Sequence, residues 1–153
     1  MAKKYWLFKS EPNAYSIYDM EKDKTTFWDG VRNYQARNFI RDDMKKGDQV
    51  LFYHSNAKPN AVAGICEIIK EGYPDFTAFD PDNKHFDPKS KTDEPAWFMV
   101  DIKFIKKFKN AVTLEEIKNN TKLKNTRLVQ RGNRLSVFPI KKAEFDEIVK
   151  MSK

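Results

Sequence analysis

Eleven residues, Trp28-Asp29-Gly30-Val31-Arg32-Asn33-Tyr34-Gln35-Ala36-Arg37-Asn38, gather an aromatic plane, two guanidinium groups, carboxamides and a turn glycine. A segment that only filled a core would not need them. Trp28 offers a stacking surface, and Arg32, Asn33, Arg37 and Asn38 offer donors in fixed geometries. This mixture suits a flat, polar, anionic ligand, and a nucleotide base with its phosphates fits that description. Taken alone, Trp28 is better explained by core packing; its neighbours carry the other reading.

Three further polar clusters close apolar runs: Lys9-Ser10, Tyr53-His54-Ser55-Asn56 and Arg134-Leu135-Ser136. Strand ends of this kind meet at a barrel mouth. With Trp28 and the helix after it they are expected to form one aromatic, hydrogen-bonding pocket. His54 and Ser55 resemble a base and a nucleophile, but neighbouring strand residues point to opposite faces, so the pair does not share a site without a bulge. His54 alone reads as a satisfied structural histidine. Glu11 is a lone carboxylate with no visible acid/base partner.

Two histidines and one cysteine rule out a His/Cys metal cluster, and there is no Gly-rich phosphate loop. Asp80, Asp82 and Asp87 lie close in sequence, but Lys84 and His85 break the calcium-loop spacing. Neither a metal nor a cofactor is expected. Cys66, in the apolar run Ala63–Ile68, reads as a small buried hydrophobe rather than a nucleophile. A single cysteine forms no intramolecular disulfide, which points to a reducing, cytoplasmic setting. Met1-Ala2-Lys3-Lys4-Tyr5-Trp6 lacks the apolar core of a signal peptide, and no run approaches the roughly 18 apolar residues of a membrane span.

The elements that must position these groups follow from periodicity. Tyr5–Phe8 is a buried strand ended by Glu11-Pro12. Ser16 and Asp19 open a short helix through Glu21, in the spacing of a capping box. Trp28-Asp29-Gly30 is a turn. From Arg32 to Met44 a helix is expected, because Ala36, Phe39, Ile40 and Met44 share one face. Strands are expected at 49–55, 61–69, 97–104 and 135–140. In the first of these Val50 and Phe52 face one way and Leu51 and Tyr53 the other. Thr113 and Glu116 start another capped helix, and 142–151 is amphipathic with Phe145, Ile148 and Val149 inward. Between 73 and 95, prolines at 74, 81, 88 and 95 mark a stiff surface loop, expected to be tucked down by Phe76, Phe79 and Phe86. Strands in mixed order without long crossovers favour an α+β fold: a curved antiparallel barrel flanked by helices.

The chain of 153 residues fits a single domain, 1–153, and contains no Gly/Ser-rich linker. Its net charge of +7 is uneven: residues 1–101 carry 15 basic and 17 acidic side chains, and residues 102–153 carry 14 and 5. A basic final third on a near-neutral body points to a polyanion partner.

Tyr5–Pro12, Trp28–Asn38, Leu51–Asn56 and Arg134–Val137, with Tyr73-Pro74-Asp75 and Phe86–Ser90, resemble the EVE-domain family in the same order along nearly the whole chain. The resemblance implies a PUA-like antiparallel pseudo-barrel. It also implies a non-enzymatic reader of a modified base, of the 5-methylcytosine type in DNA or a modified base in RNA. By that resemblance Trp28 stacks on the base, and Ser10, Asn33, Ser55 and Asn56 read its edge. Tyr53, His54 and Ser136 complete the pocket, and Lys9, Arg32, Arg37 and Arg134 meet phosphates. The expected partner is nucleic acid, with no membrane and no metal, and the expected state is a monomer. A long N-terminal region known in the eukaryotic member has no counterpart here, so the resemblance carries no argument for a nuclear setting. Two alternatives stand beside this reading. One is an enzyme on a small nucleotide-like metabolite, with Glu11 or His54 as acid/base. The other is a PUA-like RNA-binding module indifferent to modification.

Overall fold

The computed structural model describes residues 3–153; Met1 and Ala2, the start of the segment read as lacking a signal-peptide core, lie outside the described residues. Six strands form one sheet in the order β2-β5-β4-β3-β1-β6, with β1 at Tyr5–Ser10, β2 at Thr25–Phe27, β3 at Gln49–His54, β4 at Ala61–Pro74, β5 at Phe98–Thr113 and β6 at Val137–Ile140. The helices are α1 (Ile17–Asp23), α2 (Tyr34–Asn38), α3 (Leu114–Lys118) and α4 (Lys142–Met151). This is the expected α+β fold, with one departure in the sheet. Neighbouring strands pair antiparallel except β1 and β3, which run parallel with Tyr5 opposite Gln49 and Ser10 opposite His54. The sheet is therefore mixed. A parallel pair needs a long connection, and residues 11–48, carrying α1, β2 and α2, supply the crossover that the sequence reading left out.

Register shifts between Phe52 and Tyr53 and at four points of the β4–β5 pair bend the sheet. The bend brings its far ends together. Trp28 follows β2 and continues its pairing, its amide N–H donating to the Val100 carbonyl at 2.8 Å, yet its ring lies 5.3 Å from that of Phe8 on β1. Both faces of β3 are covered: Val50, Leu51 and Phe52 have no exposed surface and Tyr53 only 2%. Alternation correctly divides this strand between two sides, and each side is interior.

Local signals account for the helix starts. The Ser16 side chain accepts the Asp19 amide and Asp19 returns the bond, and Thr113 and Glu116 do the same for α3. The expected helix from Arg32 to Met44 forms in two pieces. Asn33 caps a first turn, and the chain then widens into a π-helical turn over Phe39–Asp43, closed by the Met44 amide on the Phe39 carbonyl. Ala36, Ile40 and Met44 are buried as their spacing demands. The turn rests against β4 where Gly72 has no side chain: a Cβ there would sit 2.5 Å from the Ile40 carbonyl oxygen.

The proline-rich arm after β4 is held by polar groups more than by its aromatics. Phe76 and Phe86 remain exposed, and only Phe79 of the expected trio is half-buried. Asp75 anchors one end of the arm, and Asp87 accepts the Trp97 indole N–H at 2.6 Å near the other.

Candidate functional site

An open cavity of about 670 Å³ lies where β1, the β2–α2 turn, the start of β6 and the proline-rich arm meet. Trp28 is half-buried there, its ring braced by Phe8 and, edge-on, by Phe52 at 5.6 Å and Tyr15 at 6.4 Å. Phe27 lies beside it at the rim, where it meets Phe76 edge-on at 5.0 Å. The polar lining mixes signs, Glu11, Asp29 and Asp82 with Lys9 and Lys84, beside the His85 imidazole. Lys9 is half-buried, and loss of hydration lowers its ammonium pKa from the ordinary 10.5.

The turn under Trp28 is fixed from the arm. Gly30 adopts φ +79°, and a Cβ on it would meet the His85 ring at 2.5 Å, so only glycine lets the imidazole lie on the turn. His85 Nδ1–H donates to Asp29 at 3.1 Å. Asp75, with no exposed surface, accepts the Gly30 amide at 2.8 Å and Arg32 Nη1 at 3.0 Å on one oxygen, and the Thr77 amide and hydroxyl on the other. Burial alone would raise its pKa. The bonds from Thr77, Gly30 and Arg32 outweigh that and hold it below the ordinary 3.8.

Of the residues marked in the sequence, Lys9, Ser10, Trp28 and Ser136 line this cavity. The Ser10 hydroxyl donates to the Tyr15 carbonyl at 2.6 Å, and the Ser136 carbonyl accepts the Lys9 amide at 2.8 Å. Arg32 is turned to Asp75 and to the His85 carbonyl, at 2.6 Å, and lies over Trp97. Arg37 donates to the Ala96 carbonyl at 2.6 Å and to Asn38, with its guanidinium over Tyr34. Both arginines therefore brace the arm, whereas the sequence reading set them against phosphates. Asn33 accepts the Ala36 amide as the α2 cap and lies with Arg134 in a second cavity.

Tyr53 is buried, and desolvation pushes its phenol up to about 12. His54 Nε2 accepts the Ile17 amide at 3.0 Å, the first helical N–H of α1, and Ser55 donates its amide to the Ser10 carbonyl at 3.0 Å. Asn56, at φ +50°, donates to Glu11 at 3.5 Å on the rim. His54 is thus a satisfied structural histidine, and no base–nucleophile pair with Ser55 forms. Burial likewise pushes the Cys66 thiol up to about 12, as suits a small core hydrophobe. Among the described residues, no group of three or more His, Cys, Asp or Glu side chains is placed to hold a metal ion, and no helix is long and apolar enough to cross a membrane.

Sequence reasoning missed Tyr15, Phe27 and the arm residues Asn83, Lys84 and His85 as cavity walls. The pair Asp29-Gly30 lay inside the motif first singled out. Gly30 could have been read as a left-handed turn position, but nothing local says that His85 returns to cover it.

A mixed-sheet pseudo-barrel with an aromatic-walled, polar-rimmed cavity at its mouth is a ligand-binding architecture. Residues 4–151 match the EVE domain, and the chain belongs to that family. Thymocyte nuclear protein 1 of Homo sapiens is 43% identical over 166 residues, covering 96% of this chain and 73% of that protein. The structure of human THYN1 in complex with 5-methylcytosine-containing DNA superposes with a TM-score of 0.91 at 42% identity, covering 99% of this chain and 98% of that one. A hypothetical protein from Leishmania major superposes at 0.94 with 45% identity, over 99% and 95% of the two chains.

Proposed function

We propose that this protein is a non-enzymatic nucleic-acid-binding domain that reads a single modified base, of the 5-methylcytosine type in DNA or a modified base in RNA, flipped into the Trp28 cavity. The observation that carries the reading is the cavity itself: about 670 Å³, open, aromatic on one wall and ringed by donors and acceptors of both signs. A neutral base needs such a lining, and a bare phosphate would meet three carboxylates. The relative crystallised on 5-methylcytosine-containing DNA supports the same reading. In this reading Trp28 stacks on the base, Ser10, Glu11 and Asp29 face its polar edge, and Lys9 and Ser136 line its exit. The lone buried Cys66 supports a reducing, cytoplasmic setting.

The test is an anisotropy titration with short oligonucleotides that differ in one modification. Parent protein is expected to prefer the modified base. Trp28→Ala should lose roughly tenfold or more on modified oligonucleotides, since aromatic stacking contributes about 1–3 kcal/mol per base. It should lose much less on plain ones. An equal loss on both would remove the stacking role. One feature favours a second reading: the Asp29–His85 pair opens on the same cavity and could move a proton on a small nucleotide-like metabolite. Turnover of free nucleotides by the parent and not by His85→Ala would establish it.

A further inference from the structure

The base cavity leaves the backbone of the nucleic acid unaccounted for. Its lining is of mixed sign, and Arg32 and Arg37 are committed to the arm. A second cavity, of about 610 Å³, opens beside Leu135. Arg127, Arg131, Arg134, Asn33, Gln35 and Asn133 provide most of its polar lining, and no Asp or Glu borders it. Arg127 is held in place over the Phe39 ring at 5.6 Å. Arg131 and Arg134 are exposed, and neither belongs to any ion pair among the described residues. Three guanidinium groups around a hollow without a counter-charge form a site for phosphate oxygens.

Its position is as telling as its charge. Ser136 lines the base cavity and Arg134 lines the second; Leu135 alone lies between them, so their Cα atoms are no more than about 7 Å apart. We propose that this arginine basin is the backbone site of the domain: it grips phosphodiesters of the strand that delivers its base to Trp28. The inference rests on the reading above and divides the work. One cavity discriminates, and the other binds without regard to sequence or modification.

The experiment measures affinity against salt for plain and modified oligonucleotides. Arg131→Ala combined with Arg134→Ala should lower the slope of log affinity against log salt by about 1.4 to 1.8, the weight of two lost phosphate contacts. Affinity for both oligonucleotides should fall by the same factor, leaving their ratio unchanged. Arg131→Lys with Arg134→Lys should restore most of the slope. An unchanged slope overturns the basin. So does an equal change in a control carrying Lys106→Ala and Lys109→Ala, exposed on β5. Loss of the modified-to-plain ratio in the arginine variant also overturns it. A parent protein without preference for the modified base would instead defeat the base-reading proposal, whatever the slope does.

Discussion

Asp75 shows how one side chain can hold a site it does not line. Its two oxygens accept from four donors on three residues: Gly30, Arg32 and Thr77. Asn at this position keeps one accepting oxygen for Thr77 but turns an NH₂ toward the Gly30 amide and the guanidinium, both donors. A buried partner of a charge cannot be removed cheaply, so Asp75→Asn should cost on the order of 3 kcal/mol. For a chain of this length that lowers Tm by on the order of 10 °C, measurable by calorimetry. The sign of its pH dependence is fixed as well. Because the folded carboxyl is held below 3.8, its stabilisation is complete above that value and is lost as pH falls through the folded pKa. The parent should therefore weaken more than the variant does as pH falls below about 4. A variant melting with the parent would show that the hub bears no load. At this scale the sequence was legible in type and not in assignment. Arg32 and Arg37 are the donors that phosphates require, yet the carboxylate and carbonyl that engage them lie 43 and 59 residues away. No local pattern encodes such a pairing.

Elements with local causes were legible: both capping boxes, the alternation of β3 and the amphipathic α4 follow from short-range spacing. Elements made by distant partners were not. β2 is three residues long and is paired to β5 from across the chain, and the π turn lies against β4 at Gly72. The arm was recognised as stiff, but its anchors were sought in its phenylalanines. The link between β3 and α1 also joins distant elements. His54 accepts the first N–H of α1 on a neutral imidazole nitrogen, and burial lowers its pKa from 6.5. A depressed histidine leaves stability intact above the unfolded value. Stability is then lost as pH drops, because the unfolded chain takes the proton more readily. Protonation would also remove the acceptor. On going from about pH 7.5 to about pH 5, the parent should lose more Tm than His54→Gln, whose amide oxygen can accept the same N–H. Equal acid sensitivity would mean that another group governs the transition.

The whole molecule sets the energetics of capture. Trp28 is braced against Phe8, and a stacking wall held by packing loses little freedom when a base arrives. The cost lies in the nucleic acid. Extruding a paired base takes a few kcal/mol, and stacking returns about 1–3. These nearly cancel, so net affinity for a paired, modified base comes from the backbone. In the proposed mode that contribution comes from the arginine basin, which lies within the basic final third of the chain. The balance has a measurable consequence that separates base capture from reading in a groove. A mismatch opposite the modified base leaves every phosphate in place but lowers the cost of extrusion. If a mismatch saves about 1.4–2.8 kcal/mol, affinity should rise roughly tenfold to a hundredfold over the matched duplex, with an unchanged salt slope. A groove reader would gain nothing from the mismatch and would lose contacts. Titrating matched and mismatched duplexes with the same modification, at two salt concentrations, decides between them. Tighter binding to the matched duplex would rule out a flipped base, even if Trp28 and the arginine basin both proved necessary for binding.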